Sequence, residues 1–217
     1  MPALIKEREY RKFQNMEIRS MTEENGEYII EGYATTFGEE YELFREGNYV
    51  YREMVDKNAF ANCNMTDVIL QFDHEGRVYA RVSNGTLEIR VDDHGLFIRA
   101  NLGGTAIGRE LYEEIKGGYI TKMSFGFHVN AQTRTVEEVK QDGVVITIIH
   151  RVITGIDKLY DVSVVSIPAN DATNVSCRNV CDGLIADILE ERQTEEVRKN
   201  NIRKIKLLMN LNGGENQ

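Results

Sequence analysis

Residues 119–129 have the sequence YITKMSFGFHV, in which apolar and polar side chains alternate with a period of two. One face carries apolar side chains, from Met123, Phe125, Phe127 and Val129. The opposite face carries Lys122, Ser124, Gly126 and His128. The alternation predicts a strand with one face in the core. A glycine inside a strand marks close approach by a ligand or another backbone. Ser124 is therefore a candidate nucleophile, although a serine with no chemical role fits the same pattern.

The segments on either side of this stretch predict a β-rich (α+β) fold. Runs rich in β-branched and aromatic residues predict strands over residues 28–37, 66–72, 87–91, 96–102, 144–153 and 159–167. One helix is predicted over Thr105–Lys116, because apolar residues recur there every four positions and Thr105 is a favourable N-cap. Short strands separated by turns are typical of a barrel or a sandwich.

Composition divides the 217 residues into three zones. Residues 1–14 are highly charged and form a predicted flexible or docking arm. Residues 15–176 contain the predicted strands and helix, enough for one compact domain. Residues 177–217 have a helical pattern that ends in a polar tail. Helices of this size seldom persist alone in water, so we expect this C-terminal segment to dock on the domain or pair with another chain.

Charge and composition exclude several classes of protein. The formal net charge of -9 argues against a nucleic-acid binder, which usually carries a basic face. The N-terminus lacks the apolar core of a signal peptide, and no apolar run is long enough for a membrane span. We therefore expect a protein that stays in a cytoplasm or inside something assembled there. The three cysteines, Cys63, Cys177 and Cys181, have no spacing typical of a disulfide framework or a zinc site, and no metal or cofactor is expected.

A serine hydroxyl becomes a good nucleophile only when an adjacent base takes its proton, and the chain has four histidines. His74 follows a buried strand, where a side chain can reach the rim of a sheet, and is the best candidate. His94 lies in a predicted turn, and His150 lies within an apolar run. His128 shares a face with Ser124 but is about 13 Å away along the strand, at ~3.3 Å per residue.

Asp161 interrupts the β-branched run LYDVSVV at residues 159–165. A carboxylate in such a strand needs a partner, since a buried unpaired charge is costly. The partner can be a histidine, whose tautomer the carboxylate would hold, or an arginine or lysine in a structural ion pair. The sequence leaves both possibilities open.

Several stretches together resemble the prohead maturation proteases of tailed phages, a family related in fold to the herpesvirus assemblin proteases. The resemblance lies in the order and spacing of residues 31–44, 52–63, 68–82, 87–102, 123–127 and 159–170, together with the predicted helix and the glycines that end it. It implies a herpesvirus-protease-like β-barrel with surrounding helices over residues 15–176. The helical segment 177–217 would then be an accessory tail that self-cleavage could remove.

The resemblance also implies roles for individual residues. The histidine of the family falls on His74 and its serine, in M-S-x-G-F, falls on Ser124. Its acid falls on Asp161, where the family commonly has a glutamate, so this residue departs from the pattern by one methylene. The herpesvirus relatives resemble a Ser-His-His arrangement, which leaves the other three histidines open as the third member. Gly126 with its neighbours, or Arg81, are candidates for binding the oxyanion.

The function that follows from the resemblance is that of a serine endopeptidase that needs no metal or cofactor. Its expected substrates are the scaffolding region of the major capsid protein and the protease itself, inside the procapsid in the cytoplasm of a bacterial host. A homo-oligomer is possible, and neither nucleic acid nor membrane is an expected partner. Two alternatives remain: a non-catalytic capsid-assembly scaffold that retains the fold, and a β-barrel binding module in which His74 and Ser124 lie far apart.

Overall fold

The computed structural model describes residues 8–12, 18–24, 27–166, 188 and 190–204, with the backbone alone for residues 12 and 18–24. The chain forms two compact units, Met1–Cys177 and Arg178–Gln217. Parts of the predicted arm (1–7, 13–14) and of the predicted C-terminal segment (177–187, 189, 205–217) lie outside the described residues, as do Cys177 and Cys181.

The described residues of the first unit form eleven strands and one helix. In chain order these are β1 (Glu9–Lys12), β2 (Ile18–Glu24), β3 (Glu27–Thr36), β4 (Tyr41–Glu46), β5 (Tyr49–Val55), β6 (Ile69–Phe72), β7 (Glu75–Arg81), β8 (Leu87–Val91), β9 (Gly95–Asn101), α1 (Ala106–Lys116), β10 (Lys122–Gln141) and β11 (Val144–Val165). The β-rich prediction is therefore confirmed.

Seven strands form a large sheet that curls into a half-barrel. Its path is β1-β10-β11-β5-β4, and β6 and β7 join it through the pairing of β6 with β11. β10 and β11 form one long antiparallel hairpin with a two-residue Asp142-Gly143 turn, and both turn residues have positive φ, as the favoured hairpin turns require. The two strands predicted over 144–153 and 159–167 are thus one strand as far as Val165.

β11 organises the site because it has two different parallel partners. Its first part lies beside β5, from Thr147↔Tyr49 to Ile153↔Val55. Its last part lies beside β6, from Asp161↔Ile69 to Val164↔Phe72. Since β10 lies along the other edge of β11, the end of β6 is brought close to the first residues of β10.

The other four strands form a second sheet of order β2-β3-β9-β8. Among the described strands no pairing joins this sheet to the large one, so the structure has two sheets rather than one closed barrel. Buried side chains from both sheets and from α1 form one core, including Ile30, Ile98, Leu111, Phe125 and Val162. The core holds the apolar face of β10, where the rings of Phe125 and Phe127 stack with centroids 4.3 Å apart, as the alternation predicts.

α1 begins and ends as the sequence predicts. The Thr105 hydroxyl accepts a hydrogen bond of 3.0 Å from the amide of Gly108, and Gly117 caps the end. Leu111, Tyr112 and Ile115 are buried, and they hold the helix against the core from which β10 starts.

In the second unit, the described residues 188 and 190–204 are helical. The exposed side chains of Lys199 and Glu195 form an i,i+4 ion pair of 3.0 Å on this helix. Among the described residues, no helix has the length and apolar character that crossing a membrane requires. The predicted self-removal of the C-terminal segment stays a prediction.

Candidate active site

Ser124 lies in β10 with a strand on each side. Its backbone is in register with Ser163 of β11 and with Lys12 of β1. The residue is fully buried, because β1 covers the edge of the strand that carries it.

His74 is held in a tight turn. Phe72 of β6 pairs with Glu75 of β7, so Asp73 and His74 form a two-residue turn, with φ of 48° and 62°. Positive φ is uncommon outside glycine, although aspartate and histidine adopt it more readily than most residues. The Asp73 carboxylate secures this turn by accepting hydrogen bonds from Ser166, at 3.0 Å from its amide and 2.7 Å from its hydroxyl.

The turn brings the His74 ring between Ser124 and Asp161. Its Nε2 lies 2.5 Å from Ser124 Oγ, and its Nδ1 lies 2.5 Å from Asp161 Oδ2. The Asp161 carboxylate accepts a hydrogen bond from Nδ1–H, so Nε2 of the neutral ring directs its lone pair towards the serine oxygen. This geometry suits a general base beside a nucleophile. The binding-module alternative requires His74 and Ser124 to lie far apart, and this geometry contradicts it.

Asp161 is fully buried and has both kinds of partner that the sequence left open. Its Oδ2 accepts hydrogen bonds from His74 and, at 2.8 Å, from the Ser163 hydroxyl. Its Oδ1 forms an ion pair with Arg8. The Arg8 guanidinium also lies 4.5 Å from the Tyr160 ring centre, and burial lowers its pKa. The Asp161 charge is therefore balanced in part by the Arg8 guanidinium as well as being hydrogen-bonded to His74.

Gly126 makes room for Asp161. The two residues are paired across β10 and β11, and a Cβ on Gly126 would lie 2.4 Å from Asp161 Oδ1 and 2.9 Å from Arg8 Nε. A side chain at position 126 would therefore push the carboxylate away from His74. The glycine predicted close approach by another group, and the groups that approach it are the Asp161 carboxylate and the Arg8 side chain.

The structure does not bring Arg81 to Ser124. Arg81 ends β7 and pairs with Ile69, at the other end of the β6–β7 hairpin from His74. Its guanidinium forms an exposed ion pair of 3.2 Å with Asp67. Three strand spacings separate β7 from β10, roughly 14 Å. This position corrects the suggestion that Arg81 binds an oxyanion.

The other three histidines lie away from Ser124. His128 pairs with Asp157 at 2.7 Å, and His150 pairs with Glu40 at 2.5 Å. His94 lies in the β8–β9 turn, where its ring packs edge-on against Tyr33. None of these three contacts involves Ser124 or His74.

β1 contributes residues to the site that no catalytic motif in the sequence indicated. Ser124 Oγ lies 2.7 Å from the carbonyl oxygen of Arg11, as donor to acceptor. The Tyr10 ring packs on His74 with centroids 4.5 Å apart. On the other face of β1, the side chains of Glu9 and Arg11 are buried.

These two side chains form a buried ionic cluster with Glu53 of β5 and Arg151 of β11. Arg11 donates to both Glu53 oxygens, at 2.5 and 2.9 Å, and also contacts Glu9. Arg151 donates to both Glu9 oxygens, at 2.8 and 2.9 Å, and to Glu53 at 2.7 Å. Two cations and two anions therefore balance in the interior.

The cluster shifts the pKa of each carboxyl. Burial raises the pKa of Glu9, but Arg11 and Arg151 outweigh burial and lower it to about 2. The same balance lowers the pKa of Glu53 below its ordinary value. The sequence offered an indication of this cluster, because Glu53 lies within the largely apolar strand YVYREMV and residues 8–12 combine three basic residues with Glu9.

Among the described residues, no group of three or more histidine, cysteine, aspartate or glutamate side chains is arranged to hold a metal ion. Comparisons with curated proteins and with solved structures give no match to this chain. A family model described as caudovirus prohead serine protease matches residues 14–183, most of the chain, including the segments that carry His74, Ser124 and Asp161. The chain therefore belongs to the caudovirus prohead serine protease family.

Proposed function

We propose that this protein is a serine endopeptidase with Ser124 as nucleophile, His74 as general base and Asp161 as the group that orients His74. The observation that carries the proposal is the unbroken path of contacts from Ser124 Oγ through both ring nitrogens of His74 to Asp161 Oδ2, each contact 2.5 Å long. Few structural roles require a hydroxyl, an imidazole and a buried carboxylate in this order.

The reaction is acyl transfer to water. His74 Nε2 takes the proton of Ser124 as Oγ attacks a peptide carbonyl, and the imidazolium then protonates the leaving amine. A water molecule activated by His74 releases the acyl group. Asp161 keeps the proton on Nδ1 and stabilises the imidazolium. Backbone N–H groups of β10 near Gly126 are our candidates for stabilising the oxyanion.

The expected substrates are the scaffolding region of the major capsid protein and the chain itself, including its C-terminal segment. Membership of the family supports this assignment, because a prohead is an immature capsid. The reaction would take place inside the procapsid, in the cytoplasm of the bacterial host. A relation in fold to the herpesvirus assemblin proteases, the assembly of the protease into a homo-oligomer and the lack of any metal or cofactor requirement belong to the same proposal.

The test is co-expression with the major capsid protein from the same phage, followed by mass analysis of both products. The unmutated chain should shorten the capsid protein and itself, whereas Ser124→Ala should leave both at full length. Ser83→Ala, which removes an exposed hydroxyl between β7 and β8, is the matched control and should behave like the unmutated chain. Identical masses with the unmutated chain and with Ser124→Ala would instead favour a non-catalytic scaffold.

A further inference from the structure

β1 occupies the position in which a peptide would be presented to Ser124. It adds to the edge of β10 as an antiparallel strand, with Glu9↔Phe127 at one end and Lys12↔Ser124 at the other. Addition of a strand to a sheet edge is a general way to bind an extended peptide, since the backbone supplies the hydrogen bonds and alternate side chains supply specificity. β1 also lies before residue 14, where the match to the family begins.

The carbonyl of Arg11 is the one that meets the nucleophile. Its oxygen accepts a hydrogen bond of 2.7 Å from Ser124 Oγ. The serine hydroxyl has one hydrogen, and His74 Nε2 lies 2.5 Å from the same oxygen atom. A hydroxyl that donates to the Arg11 carbonyl cannot at the same time donate to His74 Nε2, its base. This arrangement is therefore a resting state of the site.

The Arg11 side chain fills a pocket of complementary charge. It is 1% exposed, and its guanidinium binds both oxygens of Glu53, which is itself fully buried. The Phe127 ring lies 5.6 Å from the guanidinium carbon. The planar guanidinium of arginine can donate two hydrogen bonds side by side to a carboxylate, whereas the ammonium group of lysine cannot. The pocket therefore favours arginine.

A second pocket accepts the side chain two residues earlier, because residues i and i+2 share a face of a strand. Glu9 is 2% exposed and receives two hydrogen bonds from Arg151. Arg151 is in turn bound to Gln132 at 2.6 Å and to Glu53 at 2.7 Å. Glu53 and Arg151 therefore keep each other as partners when β1 is absent, and the empty pockets present one anion and one cation.

We propose that β1 fills the substrate-binding site of this protease, and that Glu53 and Arg151 select an extended segment of the form Glu-x-Arg for cleavage after the arginine. The inference rests on the proposed function, since it takes Ser124 as the nucleophile. It assigns a substrate class to the site and makes β1 a built-in competitor of other substrates.

β1 also restrains the catalytic groups while it is bound. Arg8 neutralises part of the Asp161 charge that would otherwise stabilise an imidazolium at His74, and Tyr10 covers the ring. Displacement of the strand exposes the β10 edge, where alternate residues direct their N–H and C=O groups outward. A substrate strand must therefore replace β1.

The reaction at this site is hydrolysis of the bond that follows the arginine. A bond forms between Ser124 Oγ and the carbonyl carbon of the arginine, the bond from that carbon to the next nitrogen breaks, and His74 passes the serine proton to the departing amine. Water then adds to the acyl-enzyme and regenerates the hydroxyl. In the chain itself, the corresponding bond joins Arg11 and Lys12.

The experiment compares two peptides with two full-length chains. The first peptide has the sequence of residues 8–14, REYRKFQ, and the second replaces the arginine equivalent to Arg11 with glutamine. The chains are the unmutated protein and the Arg11→Glu variant, which places a carboxylate against Glu53 and expels β1. We expect Arg11→Glu to cleave the first peptide after its second arginine, about tenfold or more faster than the unmutated chain. The glutamine peptide should be poorer by a factor on the order of 100.

Two further variants make the result decisive. Ser124→Ala in the Arg11→Glu background should abolish cleavage. Arg11→Gln, which removes the charge without adding repulsion, replaces Arg11→Glu if circular dichroism shows that the latter is unfolded. Equal rates on the two peptides, or cleavage at another bond, would overturn the inference. If capsid precursor is cut in a Ser124-dependent way while these peptides are not discriminated, only the specificity is wrong, whereas the absence of all cleavage also removes the protease function.

Discussion

His74 and Asp161 depend on small features of neighbouring side chains for their positions. The Asp73 carboxylate binds Ser166 and thereby fixes a turn with positive φ at both of its residues. The Ser163 hydroxyl donates to the same Asp161 oxygen that His74 contacts. Backbone conformations of this kind are costly and cluster at functional sites, in agreement with a catalytic role for His74.

Asp161→Asn tests the orienting role directly. The asparagine amide can donate a hydrogen bond to Nδ1, which favours the tautomer with its proton on Nε2. Because Nε2 then already carries a proton, it cannot accept the proton of Ser124. We expect kcat to fall by a factor of about 10³ to 10⁴ with a small change in KM. Steady-state hydrolysis of a capsid-derived peptide measures both values.

The chain offers a matched control for this substitution. Asp157 also pairs with a histidine, His128, but its side chain is 47% exposed and the pair does not contact Ser124. Asp157→Asn should leave kcat within about twofold of the unmutated value, because exposed ion pairs contribute little. An equal loss of activity in the two variants would count against an orienting role for Asp161.

At the level of strands, the pairing of β10 with β11 and of β11 with β6 assembles the site. β11 carries Asp161 between the strand of Ser124 and the strand that ends at His74. The assembly leaves little room between facing residues at Gly126, where an added Cβ would lie 2.4 Å from Asp161 Oδ1.

Gly126→Ala should damage the site through contact alone. The new methyl group would lie against Asp161 Oδ1, at 2.4 Å before any adjustment, so the carboxylate must rotate away from His74. Since misplacement of a catalytic group by about 1 Å can reduce the rate roughly 100-fold, we expect a large loss in kcat. We also expect the free energy of unfolding to fall by about 1–3 kcal/mol, measured by urea denaturation.

Gly104→Ala is the corresponding control. No heavy atom lies within 4 Å of the Cβ position at Gly104, and its φ is not positive. This variant should keep its activity and stability. Full activity of Gly126→Ala, with an unchanged crystal structure at Asp161, would refute the spatial role assigned to Gly126.

The complete fold joins the N-terminal residues to the interior of the large sheet. Arg11 and Glu53 are 42 positions apart and Arg151 and Glu9 are 142 apart, yet their side chains meet in one buried cluster. Removal of one charge would leave its partners buried and unbalanced, which is more damaging than loss of a surface ion pair. Docking of β1 should therefore depend on the charge of Glu9.

This dependence predicts how stability changes with pH. The pKa of Glu9 falls from an ordinary value of 4.5 to about 2 when the strand is docked, so folding favours the ionised form. The resulting stabilisation is complete above about pH 4.5 and is lost as the pH falls towards 2. The unmutated chain should be more stable than Glu9→Gln at pH 7, and the difference should shrink steadily below pH 4.5.

Urea denaturation of both proteins between pH 7 and pH 2.5, followed by circular dichroism, measures this difference. Glu27→Gln serves as the control, because Glu27 is an exposed residue at the start of β3, and its difference from the unmutated chain should stay near zero throughout. A constant difference for Glu9→Gln across the range would contradict the depressed pKa.

Features that depend on residues close together in the chain could be predicted from local sequence patterns. The alternation around Ser124, the capping of α1 by Thr105 and the turn before Gly95 are local patterns, and the structure has a strand, a helix and a turn at those places. The candidates His74, Ser124 and Asp161 were also selected from sequence, with the family resemblance giving the order of their roles.

Which of these residues come into contact depends on how distant segments pack in the fold. Ser124 and His74 are 50 positions apart and His74 and Asp161 are 87 apart, and their contact depends on the register of β6, β10 and β11. The sequence did not reveal that β1 closes the edge of β10, that Arg81 lies elsewhere, or that the strands form two sheets. Local periodicity determines which face of a strand is apolar, whereas register and strand order follow from packing between distant segments.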